Sequence, residues 1–155
     1  NLVSIASKKF AGNVKFMKIS GCASLPFPDD YFNVVYAIAV FHHIPGMELR
    51  FKMAKELRRV AKPGGHIIVT VWNLWQKEHI KDIIANWFNK ILQKSELDWN
   101  DCYIPFEKDN KNIFRRYNHV FRKNEIKKIF SEAGFETEKC EIINGKNIFY
   151  AGIKI

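Results

Sequence analysis

Two apolar runs, VVYAIAVF at 34–41 and the segment HIIVTVW at 66–72, bracket a stretch with helical periodicity. Each run is apolar on both faces and rich in β-branched and aromatic residues, which suits a strand covered on two sides. Between them Met53, Ala54, Leu57, Val60 and Ala61 recur at three- and four-residue spacing, with Lys52, Lys55, Glu56, Arg58, Arg59 and Lys62 opposite. Pro45-Gly46 breaks the first run. Pro63-Gly64-Gly65 stops the helix, because proline cannot continue the ladder and glycine tolerates a left-handed turn. Strand, helix and strand with short connections predict a right-handed βαβ unit, and so a parallel sheet with helices on its faces.

The flanks are patterned too. Leu2, Ile5, Ala6 and Phe10 share one face of a helix that is already under way at Asn1. Val14–Ile19 alternates well enough for a short strand, and residues 20–33 hold the turn formers Pro26, Pro28 and Asp29-Asp30. Ile80, Ile83, Ile84, Trp87, Phe88, Ile91 and Leu92 keep helical spacing from Glu78 to Lys94, expected to pack on the core or over the site. Residues 95–119 read as an irregular polar segment broken by Pro105, long enough to be functional. Glu125–Ala133 reads as a helix stopped by Gly134. Phe135–Ile142 and Asn147–Ile155 read as strands joined at Asn144-Gly145, a hairpin turn. No repeat or domain boundary is visible, so a single domain is expected.

Composition narrows the class. At 155 residues, 47% hydrophobic and 14% aromatic, the chain can bury a core. No apolar stretch is long enough to span a bilayer, so no membrane role is expected. Cys22, Cys102 and Cys140 are scattered, without a CxxC pair, as free thiols of a reducing cytoplasm are. His42-His43 tempts a metal reading, but neighbouring side chains at a strand end diverge and no third ligand is evident, so no metal is expected. The net charge of +9 is uneven: residues 1–19 carry four lysines and no acid, and residues 107–128 carry eight basic and three acidic side chains. Such basic segments suit a polyanion such as RNA, or serve solubility alone.

The stretch LPFPDDYFNVVYAIAVFHHI followed by ELRRVAKPGGHIIVTVW resembles the second half of a class I S-adenosylmethionine-dependent methyltransferase of the type 11 group. The tail RRYNHVFRKNEIKKIFSEAGF, with VWNLWQ and DCYIPF, resembles the branch of tRNA wobble-uridine methyltransferases that esterify a carboxymethyl group. The resemblance implies an α/β, Rossmann-like sheet, mostly parallel with an antiparallel C-terminal hairpin, lacking the first two strands. It also implies that the glycine-rich cofactor turn lies outside this sequence, since no GxG occurs among its eight glycines. In the family order two strands would lie between Val14–Ile19 and Val34–Val40, a gap of about 14 Å. Unpaired backbone groups do not persist in an apolar gap, so altered pairing or marginal stability is expected.

The same resemblance places the adenine side of the cofactor at Gly21, Cys22, Ala23 and Leu25, and the sulfonium beside Ala37 and Val40. Gly21 stands where the family has an acid, and Asn33 where it has an aspartate. Substrate contacts fall to His43, Trp72, Arg116, Tyr117 and His119, with Asn118 departing from a second tyrosine. An arginine fork grips a carboxylate, and a tyrosine ring stacks on a loop base. No general base stands out, as suits methyl transfer to a carboxylate already ionised at neutral pH. The expectations are a cytoplasmic methyltransferase using S-adenosylmethionine, tRNA as partner, and a small activating protein subunit as in some relatives. Two other readings stay open: a small-molecule methyltransferase acting on a quinone, lipid or metabolite, and a non-catalytic RNA-binding module.

Overall fold

The computed structural model describes residues 2–10, 12, 14–19, 21, 24–108 and 112–155, without side chains at 2, 106–108, 112 and 113. The elements in order are α1 (Leu2–Lys9), β1 (Phe32–Ile38), a 3-10 turn (Phe41–His43), α2 (Met47–Val60), β2 (Ala61–Trp72), α3 (Lys77–Ile91), β3 (Asp101–Lys108), β4 (Asn112–His119), α4 (Lys123–Glu132), β5 (Phe135–Ile143) and β6 (Asn147–Lys154).

The predicted βαβ unit forms. β1 and β2 run parallel, with Tyr36 opposite Ile68 and Ala37 opposite Val69. The helix ends at Val60, ahead of Pro63, and the extra residues 62–65 are taken up as a register shift between Phe32 and Val34. Gly64 has φ 71°, and a Cβ on Gly65 would lie 2.8 Å from the Lys62 carbonyl oxygen. These glycines are therefore required by the bulge. The four-stranded sheet has the order β1-β2-β6-β5, and β6 is antiparallel to both neighbours. Asn144 and Gly145 carry φ 49° and 68°, so the hairpin turn is the positive-φ kind that this dipeptide favours.

One face of the sheet carries the core. Ala37, Ile67, Val69, Val71, Ile148 and Tyr150 meet Met53, Ala54 and Leu57 of α2 and Ile126, Ile129 and Phe130 of α4. Stacked and edge-on contacts among Phe130, Phe135 and Tyr150 fill its centre. On the opposite face of β1, Val34, Tyr36 and Ile38 are exposed.

Three expectations are corrected. Val14–Ile19 joins no ladder among the described residues, and Val14, Met17 and Ile19 are exposed. A strand pattern that cannot pair stays irregular, because the ladder supplies its backbone partners. Residues 101–119 are not irregular: β3 and β4 form a second, two-stranded antiparallel sheet with Tyr103 opposite Tyr117. The periodic face of α3 is only partly covered. Ile83 is buried and Trp87 half-buried, whereas Ile80, Ile84, Phe88 and Ile91 are exposed.

Candidate functional site

The carboxyl ends of parallel strands are where open α/β sheets bind ligands. Here β1 ends at Ile38, and Ala39 turns the chain with φ 55°. Its N–H donates to the Thr70 carbonyl (2.9 Å) and Oγ1 (3.1 Å), which locks β1 to β2 at this edge. The 3-10 turn then seats Phe41 in the core and delivers two histidines to the rim.

His42 is fully buried, and its ring stacks on Trp72 at 5.0 Å and 24°. Its Nδ1 accepts the Trp72 backbone N–H at 3.4 Å, so the proton resides on Nε2, which has no partner among the described residues. Burial, then the charges of His43 and Arg116, lowers its pKa to about 3, so the ring is neutral at physiological pH. His43 stands edge-on to Trp72 at 6.0 Å. Its Nδ1 donates to the Tyr117 carbonyl at 3.0 Å, since a carbonyl only accepts.

That bond brings in the β3–β4 sheet, whose two faces do different work. Cys102, Ile104 and Asn118 lie on one face and are buried. Cys102 and Ile104 form a second small core with Leu74, Ile83 and Val120. Burial pushes the Cys102 thiol up to about 12, so it remains protonated. On the other face Asp101, Tyr117 and His119 surround Arg50, a helix residue only 1% exposed. Arg50 Nη1 donates to the Ile44 carbonyl (3.0 Å) and the Tyr117 hydroxyl (3.2 Å). Its guanidinium lies 3.6 Å from Asp98 and 4.0 Å from Asp101, and 5.8 Å from the Phe121 ring.

His119 completes the network. Its Nδ1 lies 2.6 Å from Asp101 Oδ1 and its Nε2 2.6 Å from Glu125 Oε1. Burial opposes the charged ring, but hydrogen bonds to Asp101 and Glu125 outweigh it and raise the pKa. Burial also disfavours the Asp101 carboxylate, but the His119 partner more than offsets this and lowers its pKa. The buried Arg50 and His119 side chains thus face the buried Asp101 carboxylate and the half-buried Glu125. For Tyr117, burial and then the Asp101 charge hold the phenol above its ordinary range. An open cavity of about 330 Å³ lies over this network, walled by His43, Pro45, Gly46, Asp101, Tyr103 and Tyr117 among others.

Of the residues expected to contact substrate, the structure gathers His43, Trp72 and Tyr117 into direct contact at one edge. Arg116 sits on the opposite face of β4 from Tyr117, exposed, opposite Ile104, and its charge reaches His42. His119 is 3% exposed with both nitrogens engaged, so it acts through Asp101 and Glu125 rather than at the surface. On the expected cofactor side, Gly21 is exposed and a Cβ there would meet nothing within 4 Å. Leu25 is pinned: its N–H donates to Glu56 Oε1 (2.6 Å) and its carbonyl accepts from Arg59 (3.1 Å). Val40 is exposed at the rim, whereas the Ala37 side chain is buried in the core on the other face of β1. Cys22 and Ala23 lie outside the described residues.

Sequence reasoning missed Arg50, Asp101 and Glu125, and singled out His42 only as half of the His42-His43 pair. For Arg50 the signal was present: it precedes Met53, Ala54 and Leu57 at three-, four- and seven-residue spacing, so it lies on the apolar face of α2. Asp101 and Glu125 carried no comparable mark, because their partner comes from a different strand.

Comparison with known proteins bears on the family and the fold. A family model described as Methyltransferase domain, of the type 11 group, matches residues 1–69. The tRNA (carboxymethyluridine(34)-5-O)-methyltransferase of Schizosaccharomyces pombe is 30% identical over 141 residues, 81% of this chain and 59% of that protein. The probable tRNA methyltransferase 9B of Mus musculus is 32% identical over 90 residues, 53% of this chain and 20% of that protein. The chain therefore spans about a fifth to three fifths of the length of these relatives. A SAM-dependent methyltransferase from Methanosarcina mazei shares the fold with TM-score 0.76 at 18% identity, over 99% of this chain and 76% of that one. Fold and sequence together place the chain among the class I S-adenosylmethionine-dependent methyltransferases, near their tRNA carboxymethyluridine branch.

Proposed function

We propose that this chain serves methyl transfer to the carboxylate of a carboxymethylated wobble uridine in tRNA. The observation that carries the reading is the convergence at one sheet edge of an exposed arginine and an indole stacked on a buried, neutral histidine. Arg116 neutralises and orients a carboxylate, as a planar fork does. His42, fully buried and neutral near physiological pH, backs the Trp72 ring, and no base is needed for an oxygen already ionised. Trp72 and His43 wall the site, and His119 sets the height of β4 through Asp101 and Glu125.

Bound S-adenosylmethionine supplies the electrophilic methyl group. Gly21, Leu25, Tyr36, Ile38 and Val40 would hold its adenosyl flank, with Cys22 and Ala23 as expected main-chain partners. The residues of this chain contribute alignment, which accounts for about 7–11 kcal/mol of a barrier in well-oriented reactions. A small activating subunit, implied by the resemblance, belongs to the same reading. No helix among the described residues is long and apolar enough to cross a membrane.

The test measures methyl-ester formation on tRNA carrying carboxymethyluridine, with S-adenosylmethionine binding followed by calorimetry. Arg116→Ala is expected to abolish ester formation while leaving cofactor binding unchanged. An unaltered rate refutes the clamp. Binding that does not weaken as salt rises refutes the tRNA reading and favours a small-molecule substrate.

A further inference from the structure

A second open cavity, of about 400 Å³, lies beside the one over Tyr117. The two share Glu96, Leu97 and Tyr103 as walls, so they are neighbours across one tyrosine ring. Tyr103 faces Tyr117 directly across the β3–β4 ladder, their rings 6.3 Å apart and edge-on at 77°. Their environments differ: Tyr117 leans on buried Arg50, whereas Tyr103 is 44% exposed.

The remaining walls include two cations, Lys94 and Arg115, and two carboxylates, Asp82 and Glu96. An isolated phosphate or carboxylate would meet two like charges here. A nucleotide matches the set part by part. Its base stacks on an aromatic ring, as bases splayed from RNA loops do. Its phosphate meets the cations, and the N–H of an exocyclic amino group donates to a carboxylate. The volume falls within the roughly 300–1,000 Å³ of small-ligand cavities.

We infer that this cavity receives the nucleotide next to the target uridine, as an amino-bearing base stacked on Tyr103. The inference rests on the RNA reading above and extends it from one nucleotide to two.

The experiment is a fluorescence titration of the chain with an anticodon stem-loop RNA, and with the same RNA made abasic at the nucleotide on either side of the target. Tyr103→Ala is expected to weaken binding of the intact loop by about 5- to 100-fold, the range of a lost base–aromatic stack. Tyr103→Phe keeps the ring and is expected to bind like the parent. One abasic RNA is expected to bind the parent weakly and to be indifferent to Tyr103→Ala. Glu96→Gln, at an exposed position, is expected to narrow the preference for an amino-bearing neighbour over uracil without touching the fold. Tyr103→Ala binding within about twofold of the parent, or weakening intact and abasic RNA equally, overturns the subsite and leaves the RNA reading standing. Failure of the parent chain to bind any loop overturns both.

Discussion

Replacing His119 by alanine tests the buried network. The ring is 3% exposed and is held 2.6 Å from each of two carboxylates, one of them the equally buried Asp101. Its removal leaves the Asp101 charge with Arg50 at 4.0 Å as its nearest cation in the network. Breaking a buried pair by deleting one partner costs about 3–5 kcal/mol, because the other charge stays out of water uncompensated. That is a large part of the roughly 5–15 kcal/mol that stabilises a domain. His119→Gln keeps one N–H donor and should lose less. The pH dependence carries a sign. The folded-state pKa of His119 is raised, so its contribution is complete below the unfolded value of about 6.5 and declines as pH rises through the folded value. The gap between the parent and His119→Gln should therefore be widest below about pH 6.5 and shrink as pH rises above it. Urea unfolding followed by circular dichroism at several pH values measures it, with the m-value confirming an unchanged transition. A cost below about 1 kcal/mol, the size of an exposed ion pair, or a gap that ignores pH would refute the buried, charged assignment.

Three further outcomes follow from the same structure. Arg50→Met should destabilise by about 1–3 kcal/mol, because it leaves the Ile44 carbonyl and the Tyr117 hydroxyl without their buried donor; a melting point equal to the parent's would contradict this. Gly134→Ala should cost about 1–2 kcal/mol in thermal unfolding, because φ is 94° and a Cβ would collide with the Arg58 side chain. Tyr36→Lys, at a position 64% exposed on edge strand β1, should leave the melting point nearly unchanged and reduce light scattering at high concentration, since charge on an exposed edge opposes strand-to-strand association.

What the sequence determined by itself is the part of the molecule whose signals are local. The two parallel strands, the helix between them, and the Asn144-Gly145 hairpin were legible because apolar period and turn chemistry act within a few residues, although β1 is covered on one face only. The convergence of His43, Trp72 and Tyr117 was legible only through resemblance, since nothing in spacing ties residues 43, 72 and 117 together. Tertiary structure decided the rest. The β3–β4 sheet escaped notice because its faces mix charge with apolar residues, and Pro105 sits within it. Val14–Ile19 showed the converse: an alternating pattern stays unpaired when no neighbouring strand offers its backbone groups. Arg50, Asp101, His119 and Glu125 come from a helix, two strands and a second helix. Their charges are tolerable inside only once all four have met, so no single stretch of sequence could announce that the hairpin would be held over the sheet edge.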